Sequence, residues 1–483
     1  MKKEMFKVVK AIPILVGFLF FDLPNAYSGE YHTNQGQPDC LDIAGQNPKE
    51  VLDEIMAEST QNAQVQSFIN LIEASKYVLQ STKQYYVPQV IVGGSYAYYN
   101  VTDNTRLLEG QEYFVGKSYP NYLESTPYIT INQNLFNPSQ QSLISSNYFQ
   151  VSAQRYQAVE QAQANAISAS QLYNSIIQNY NTVLAIQKLV EAYTQQYENT
   201  FSLRKAGEAS LIDLLSAKAQ LQLYQQELLQ TQTLIETAVA NLETLLNRRI
   251  CKLNSSSFLS FPTLDKLPSV SESAELDAIN LSPTVNNFKA ISDSAESLAQ
   301  SYRLSYLPNL SAQLGMTGTY QFGNITGAGP ASNEYDLSTS PFVQLSVKWM
   351  IFDGGTNLSL AKAQIETSKS NQKLIQQTSV QIQNSIQSFY RNDILNISSL
   401  EKATSQLKIN EKLINLVSIG YRAGYLTYLN FQVQASTLYT SYLNFFGIEA
   451  SLLNNRLQYY SLFLFRGFDK TYKSLQEIQS LSR

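Results

Sequence analysis

The stretch Tyr421-Arg422-Ala423-Gly424-Tyr425-Leu426-Thr427-Tyr428-Leu429-Asn430-Phe431 has the form of a turn between two helices. Gly424 can adopt the left-handed conformation with which helices commonly end, and a helical pattern of apolar residues resumes after it. The same arrangement occurs 217 positions earlier, where Arg204-Lys205-Ala206-Gly207 precedes Ser210-Leu211-Ile212-Asp213-Leu214. Two such turns at a fixed offset indicate a tandem repeat.

Long helices adjoin both turns. No Gly or Pro occurs between Pro138 and Gly207, and a continuous helix of that length would reach about 100 Å. After each turn, apolar residues recur every seven positions, which predicts coiled-coil packing; an ordinary amphipathic core helix is the alternative. The rows are Leu214, Leu221, Leu228, Ile235 and Leu242; Ala217, Tyr224, Thr231, Ala238 and Leu245; and Phe431, Leu438, Phe445, Leu452 and Tyr459.

Each repeat also contains two short segments that alternate apolar and polar residues, as β-strands do. Their length and alternation are typical of transmembrane strands. We expect the apolar face to contact lipid and the polar face to line water. Trp349 and the tyrosines beside the strands suit a membrane-interface girdle, with ordinary packing as the alternative. The expected lipid-facing residues of the second repeat are Leu310, Leu314, Val343, Leu345, Val347 and Trp349.

Four strands cannot close a barrel, and an open sheet edge in lipid leaves unpaired backbone groups that cost several kcal/mol each. The chain is therefore expected to oligomerise. Two copies would give eight strands, a barrel filled by its own side chains. Three copies would give twelve, and the polar inner face favours this larger, water-filled barrel.

The pattern predicts the following organisation. Residues 1–28 are a signal peptide, 250–271 an equatorial linker between the repeats, and 467–483 a C-terminal tail that is peripheral or disordered. Repeat 1 (29–249) has strands at about 89–99 and 127–136 and helices at about 48–87, 138–204 and 208–248. Repeat 2 (272–466) has strands at about 309–320 and 342–352 and helices at about 272–305, 354–420 and 426–466.

The N-terminus has the features of a secretory signal, with four lysines before an apolar run and Ala26-Tyr27-Ser28 as a cleavage site. A membrane anchor is the alternative. Cys40 and Cys251 are the two cysteines of the chain, and in an oxidising compartment they can form a disulfide or remain free.

The composition argues against an enzyme and against nucleic-acid binding. His32 is the single histidine, the two cysteines are isolated, and no glycine-rich phosphate loop follows a strand. The formal charge of −4 gives no basic surface for nucleic acid. We predict no catalytic site, no cofactor and no metal.

Three features taken together resemble the TolC-type outer-membrane efflux proteins over essentially the whole mature sequence. They are Leu307-Pro308 before a strand, Ile351-Phe352-Asp353-Gly354-Gly355 at a strand-to-helix junction, and Tyr421-x-x-Gly424 followed by Leu429-Asn430-Phe431. The resemblance implies a homotrimer with a twelve-stranded β-barrel in the outer membrane and an α-helical coiled-coil tunnel in the periplasm. It implies an exit duct for a tripartite efflux pump or a type I secretion system, which works with a periplasmic adaptor and an inner-membrane pump.

The resemblance also implies roles for residues of the two turns. Both turns would lie at the periplasmic tip, with Gly207 and Gly424 as their glycines, and a bond between Tyr421 and Asp213 would hold the closed state. The constriction positions carry Asn430 and Val433 instead of the two aspartates of the family's archetype, and Leu426 replaces an arginine. A gate that acts by size and dewetting is therefore expected, without an acidic ring.

The alternative function is a periplasmic or secreted coiled-coil scaffold without channel activity. The heptads and the signal peptide would fit it. The two pairs of amphipathic strands would not.

Overall fold

The computed structural model describes residues 40–43, 47–99, 122–253, 257–323, 336–423 and 425–481. The predicted signal peptide of residues 1–28 and Gly424 lie outside the described residues. The described helices and strands all lie in the unit that begins at Asp42. Among the described helices, none combines the length and the apolar character needed to cross a membrane.

Two very long helices dominate this unit. They are α3, with 68 residues, and α7, with 67 residues, so each extends over about 100 Å. The helices are α1 (Pro48–Ser59), α2 (Ala63–Lys83), α3 (Pro138–Lys205), α4 (Leu211–Leu246), α5 (Glu272–Leu281), α6 (Pro283–Leu304), α7 (Thr356–Arg422), α8 (Tyr428–Ser461) and α9 (Asp469–Ser480). The strands are β1 (Gln89–Tyr99), β2 (Tyr122–Phe136), β3 (Asn309–Gly323) and β4 (Asp336–Lys348).

The long helices pack in pairs, and we call α3 with α4 hairpin 1 and α7 with α8 hairpin 2. One heptad row of α4 forms the buried seam of hairpin 1. Its buried members are Ala217, Tyr224, Thr231 and Ala238. In hairpin 2 the buried members of the heptad row are Phe431, Leu438 and Tyr459.

Two helices that the sequence analysis treats as continuous are interrupted. The segment 48–87 breaks between α1 and α2, where the Asn62 side chain accepts a hydrogen bond from the Val65 amide and starts a new helix. The segment 272–305 breaks at Ser282, which caps α6 while Pro283 occupies its first turn. Both interruptions follow from ordinary helix-start residues.

The C-terminal tail is not peripheral or disordered up to residue 481. Residues Asp469–Ser480 form α9, which buries Leu475 and Ile478. The Asp53 carboxylate of α1 accepts hydrogen bonds from the backbone amides of Lys470 and Thr471, at 3.1 and 3.0 Å. The start of α9 is thus capped by a residue more than 400 positions away, which no local pattern of the tail could indicate.

The four strands form one antiparallel sheet in the order β1-β2-β3-β4. β2 begins earlier than predicted, at Tyr122, and β4 ends at Lys348 instead of about 352. Lys348 pairs with Asn309, the first residue of β3. The preceding Pro308 has no backbone N–H to donate, so the ladder ends there.

Cross-strand rows separate the two faces of the sheet. Two adjacent rows on one face are apolar across all four strands: Val90, Ile131, Leu314 and Val343, and then Val92, Ile129, Met316 and Pro341. On the opposite face, a row that lies closer to the helices carries amide side chains. Its members are Gln89, Asn132, Gln313 and Gln344. The sheet therefore has one apolar and one largely polar face.

Aromatic rings cover two glycines on the polar face. The Tyr128 ring lies so close to Gly93 that a Cβ there would be 2.6 Å from it, and the Phe342 ring lies 2.8 Å from the corresponding point of Gly315. In each case the ring belongs to the residue directly opposite the glycine. Such pairs stabilise strands that glycine would otherwise weaken.

Both strand-to-helix junctions use a tyrosine in the same way. The Tyr86 hydroxyl donates to the Asn137 carbonyl at 2.8 Å, and the Tyr306 hydroxyl donates to Asp353 Oδ1 at 2.7 Å. Asp353 also accepts from the backbone amides of Gly355 and Asn357. These contacts fix the angle at which the long helices leave the sheet in each repeat.

Candidate functional site

The first turn ends α3 at a left-handed glycine. Gly207 has φ +81°, and a Cβ built there would meet no atom within 4 Å. The Glu208 amide donates to the Leu203 carbonyl at 2.9 Å, which closes the helix end. Glycine is therefore required here for its conformation, since space is not limiting.

The next helix of the first turn begins with a reciprocal cap. The Asp213 amide donates to Ser210 Oγ at 3.0 Å, while Asp213 Oδ2 accepts from the Ser210 amide at 3.3 Å and from its hydroxyl at 2.7 Å. This is a capping box with aspartate at the third helical position.

The second turn repeats this cap with an amide. The backbone N–H of Asn430 donates to Thr427 Oγ1 at 3.4 Å, and the side-chain Oδ1 of Asn430 accepts from the backbone N–H of Thr427 at 3.1 Å. Asn430 stands 217 positions after Asp213. The predicted latch acid and the predicted constriction residue are thus equivalent cap residues of the two repeats.

Beside the turns, the two hairpins pack together through an aromatic cluster, which we call the tip cluster. Tyr193 of α3 stacks on Tyr224 of α4 with ring centroids 5.0 Å apart, and Phe431 of α8 meets Tyr193 edge-on at 5.6 Å. Tyr421 meets Tyr428 edge-on at 6.5 Å. Its buried members are Ile186, Leu189, Tyr193, Ala217, Tyr224, Tyr428, Phe431, Ala435 and Tyr439.

Polar contacts also cross between the hairpins at this cluster. The Tyr439 hydroxyl of α8 donates to the Glu227 carboxylate of α4. The Tyr421 hydroxyl lies 3.3 Å from Thr200 Oγ1 of α3. Because Thr200 gives its own hydrogen to the Gln196 carbonyl, Tyr421 is the donor. Thr200, Glu227 and Tyr439 are not among the residues predicted from the sequence, because no local pattern marks them.

The structure does not join Asp213 to Tyr421 by a hydrogen bond within the described residues. Asp213 is bonded to Ser210, and Tyr421 to Thr200. Asn430 is exposed but engaged in its cap, and Val433 is 57% exposed. Gly424 lies outside the described residues.

Burial shapes the acid–base behaviour of the cluster's tyrosines. Burial, followed by the neighbouring Tyr421 hydroxyl and Asp213 carboxylate, raises the pKa of Tyr428 to about 12. Burial and the bonded Glu227 raise the pKa of Tyr439. These phenols therefore remain neutral donors at physiological pH.

The residues expected to face lipid lie on the apolar face of the sheet or just beyond it. Leu314, Val343, Leu345 and Val347 are 51%, 81%, 65% and 66% exposed, and Leu310 is half-buried. Trp349 follows β4, is 63% exposed and donates its ring N–H to the Tyr306 carbonyl at 2.9 Å. Nothing within the described part of the chain covers these side chains.

Both cysteines, Cys40 and Cys251, are disulfide-bonded and neither is a free thiol. That they bond to each other stays a prediction. In the residues that the structure describes, no group of His, Cys, Asp and Glu is arranged to hold a metal ion.

Comparison with known proteins agrees with this geometry. Residues 277–463 match the family model described as outer membrane efflux protein. Among curated protein sequences, none is significantly similar to the chain.

Several solved channels have the same fold. The Campylobacter jejuni CmeC outer membrane channel is 13% identical, with a TM-score of 0.70, over 89% of this chain and 89% of that one. The outer membrane protein VceC of Vibrio cholerae is 12% identical, with a TM-score of 0.67, over 85% and 95%. The open state of the Neisseria gonorrhoeae MtrE outer membrane channel is 15% identical, with a TM-score of 0.61, over 88% of each chain.

The shared fold confirms the predicted combination of barrel strands with a long helical tunnel. The matched family consists of channel proteins and is not an enzyme family. Residues 277–463 are thus similar to the outer membrane efflux protein family, and the chain shares the fold of solved outer membrane channels.

Proposed function

We propose that three copies of this chain form an outer-membrane exit duct for a tripartite efflux pump or a type I secretion system. Its periplasmic gate is opened by an adaptor protein and an inner-membrane pump. One observation carries the proposal: a four-stranded sheet with a continuous exposed apolar face and two unpaired edges. In water such a face and such edges would favour aggregation.

The topology of the sheet suits closure by identical copies. Because the sheet has an even number of antiparallel strands, β4 of one copy can pair antiparallel with β1 of the next. Repeating that step leaves no open edge in lipid. Three copies give twelve strands with the amide row of Gln89, Asn132, Gln313 and Gln344 facing the water inside.

A shift of hairpin 2 against hairpin 1 is the proposed opening movement. Such a shift would break the Tyr439–Glu227 and Tyr421–Thr200 contacts, two polar contacts between the hairpins at the tip cluster. Each of these contacts is a single hydrogen bond, and the binding of a partner protein can supply the energy to break it. The bond between Asp213 and Tyr421 that the resemblance implies for the closed state stays a prediction; in the described arrangement Asp213 bonds to Ser210 and Tyr421 to Thr200.

The turns present the surface on which an adaptor would dock. Tyr425 is 87% exposed, Ile212 76% and Leu429 64%. Large apolar side chains clustered at a tip in water mark a protein contact. We infer that the adaptor binds this surface of the turns. The surfaces between neighbouring copies hold the trimer together.

The experiment compares two adjacent residues of β4 with opposite orientation. Leu345→Arg places a charge on the apolar face, where it costs about 2–4 kcal/mol near the bilayer centre. Gln344→Arg places the same charge on the polar face. We expect Leu345→Arg to abolish insertion and conductance in planar bilayers, and Gln344→Arg to insert as a trimer with altered conductance. Equal insertion of both variants, or no conductance from the wild-type protein, would contradict the duct.

A further inference from the structure

We propose that a cavity between the linker of residues 250–271 and hairpin 2 binds a small primary alkylammonium ion, with the Glu449 carboxyl as its acceptor. The cavity has a volume of about 260 Å³ and is bounded by the linker, by α7 and by α8. This ligand site goes beyond the proposed duct and does not depend on it.

The walls of the cavity are mostly apolar. Side chains from all three segments contribute to them. These are Phe261 and Pro262 of the linker, Leu400 of α7, and Leu452 and Leu453 of α8. An alkyl chain that enters the cavity leaves water for these side chains, which is favourable. The walls therefore suit the apolar part of a small ligand.

The positive charge at the cavity is already compensated within the protein. Arg456 Nε donates to Asp393 Oδ1 at 2.6 Å, Nη2 donates to Oδ2 of the same carboxylate, and Nη1 donates to the Leu264 carbonyl. Asp393 is 1% exposed, so this ion pair lies in the interior. Because all three nitrogens of Arg456 are engaged, the guanidinium does not attract an anionic ligand.

The negative charge at the cavity has no such partner. Glu449 is half-buried, and its carboxyl makes no hydrogen bond or ion pair with any residue that the structure describes. Burial is the cause of its raised pKa, and no charged neighbour offsets it. A carboxylate removed from water needs a donor.

The ligand is therefore a cation that can donate hydrogen bonds. Glu449 and Arg456 are the charged residues among those that line the cavity, and the acid is the one left unpaired. A primary ammonium carries three N–H donors, whereas a quaternary ammonium has none. The resulting bond to the carboxylate is charge-assisted.

The other repeat contains a related cavity without this carboxyl. Four residues of α8 line the proposed site, Glu449, Leu452, Leu453 and Arg456, and their equivalents 217 positions earlier also line one cavity. Those equivalents are Gln232, Ile235, Glu236 and Val239. The cavity is thus a repeated feature of the fold, and Glu449→Gln gives the second repeat the side chain that the first repeat already has.

The experiment is calorimetric titration of n-butylammonium into the full-length protein at about pH 8, where an alkylammonium is protonated. We expect saturable binding with a Kd of about 1 mM, and no saturable binding of n-butanol, which has the same alkyl chain without the charge. Glu449→Gln should weaken binding about tenfold, because the charge-assisted bond is lost. Glu401→Gln removes an exposed carboxyl of α7 next to Leu400 and should leave the Kd unchanged.

The pH dependence repeats the test without any substitution. Burial raises the pKa of Glu449 to about 7 from an ordinary value of 4.5, whereas an alkylammonium stays protonated to about pH 10. As the pH falls from about 8 to about 5.5, the carboxyl becomes neutral, and the Kd of the wild-type protein should rise roughly tenfold or more. The Kd of Glu449→Gln should stay constant over this range.

Each contrary outcome is decisive. Equal Kd values for the wild-type protein and Glu449→Gln, or a wild-type Kd that does not change with pH, would overturn the inference. So would n-butanol that binds as tightly as n-butylammonium, or a wild-type protein without saturable binding. Because every readout is a binding constant, these results leave the proposed duct untouched, and a protein without conductance could still bind the cation.

Discussion

The two turns share one backbone design and differ in the side chain at its third helical position. Asp213 and Asn430 make the same reciprocal bonds, with Ser210 and Thr427 as their partners. An amide is evidently sufficient for the cap. The charge of Asp213 is therefore not required for the turn.

The largest effect is expected from straining the first turn at its glycine. Gly207 has φ +81°, a conformation that is costly for β-branched residues. Gly207→Val should lower the free energy of unfolding by about 2 kcal/mol. Denaturant titration of the purified protein checks this.

The control for that substitution is a glycine inside a helix of the other hairpin. Gly447 lies in α8, and a Cβ there would have its nearest neighbour at 4.0 Å. Gly447→Ala should stabilise the protein by about 0.5–1 kcal/mol. If Gly207→Val left the free energy of unfolding unchanged, the turn would not need a residue in the left-handed conformation at this position.

A second difference between the hairpins is a half-buried carboxyl in one where the other has an amide. Glu449 of α8 corresponds to Gln232 of α4 at the same offset of 217. Burial raises the pKa of Glu449 to about 7 from an ordinary value of 4.5. Because the pKa of Glu449 is higher in the folded than in the unfolded protein, the contribution of its carboxyl to stability is complete below pH 4.5. That contribution is lost as the pH rises to 7.

Glu449→Gln makes the hairpins alike at this position. Relative to the variant, the wild-type protein should lose about 1.5 kcal/mol of stability between pH 4.5 and 7.5, less than the full shift implies because the carboxyl is partly exposed. Unfolding curves across this range measure the difference. Parallel pH profiles of the two proteins would contradict the assignment.

The smallest effects come from exchanging the cap residues themselves. Asp213→Ala should cost about 1 kcal/mol of stability through the lost cap, whereas Asp213→Asn and Asn430→Asp should stay within about 0.5 kcal/mol of the wild type. Thermal melting at one salt concentration compares the three. If Asp213→Asn were as destabilising as Asp213→Ala, the two turns would not be equivalent.

The repeat, the long helices and the strands were predictable because their signals are local and periodic. Alternation from Leu310 to Met316 and the absence of Gly and Pro after Pro138 are visible without a structure. The starts of α2 and α6 were visible too, at Asn62 and at Ser282-Pro283, but the surrounding helical pattern outweighed them. The sequence Ser210-x-x-Asp213 also has the form of a helix cap. The resemblance instead assigns Asp213 to a latch with Tyr421.

The contacts between the hairpins could not be predicted from periodicity. Tyr439 and Glu227 are 212 residues apart, and a heptad pattern fixes which face of a helix is buried without fixing how far one hairpin is displaced along the other. The capping of α9 by Asp53 is non-local in the same sense. Both depend on the packed core and not on their neighbours in sequence.

Bilayer conductance of one double variant tests most directly whether contacts between the hairpins hold the tip closed. Thr200→Val with Tyr439→Phe removes the Tyr421–Thr200 and Tyr439–Glu227 hydrogen bonds and keeps the volume of the side chains. We expect a trimer that inserts normally and has a higher resting conductance than the wild-type protein. Normal insertion with an unchanged resting conductance would contradict it.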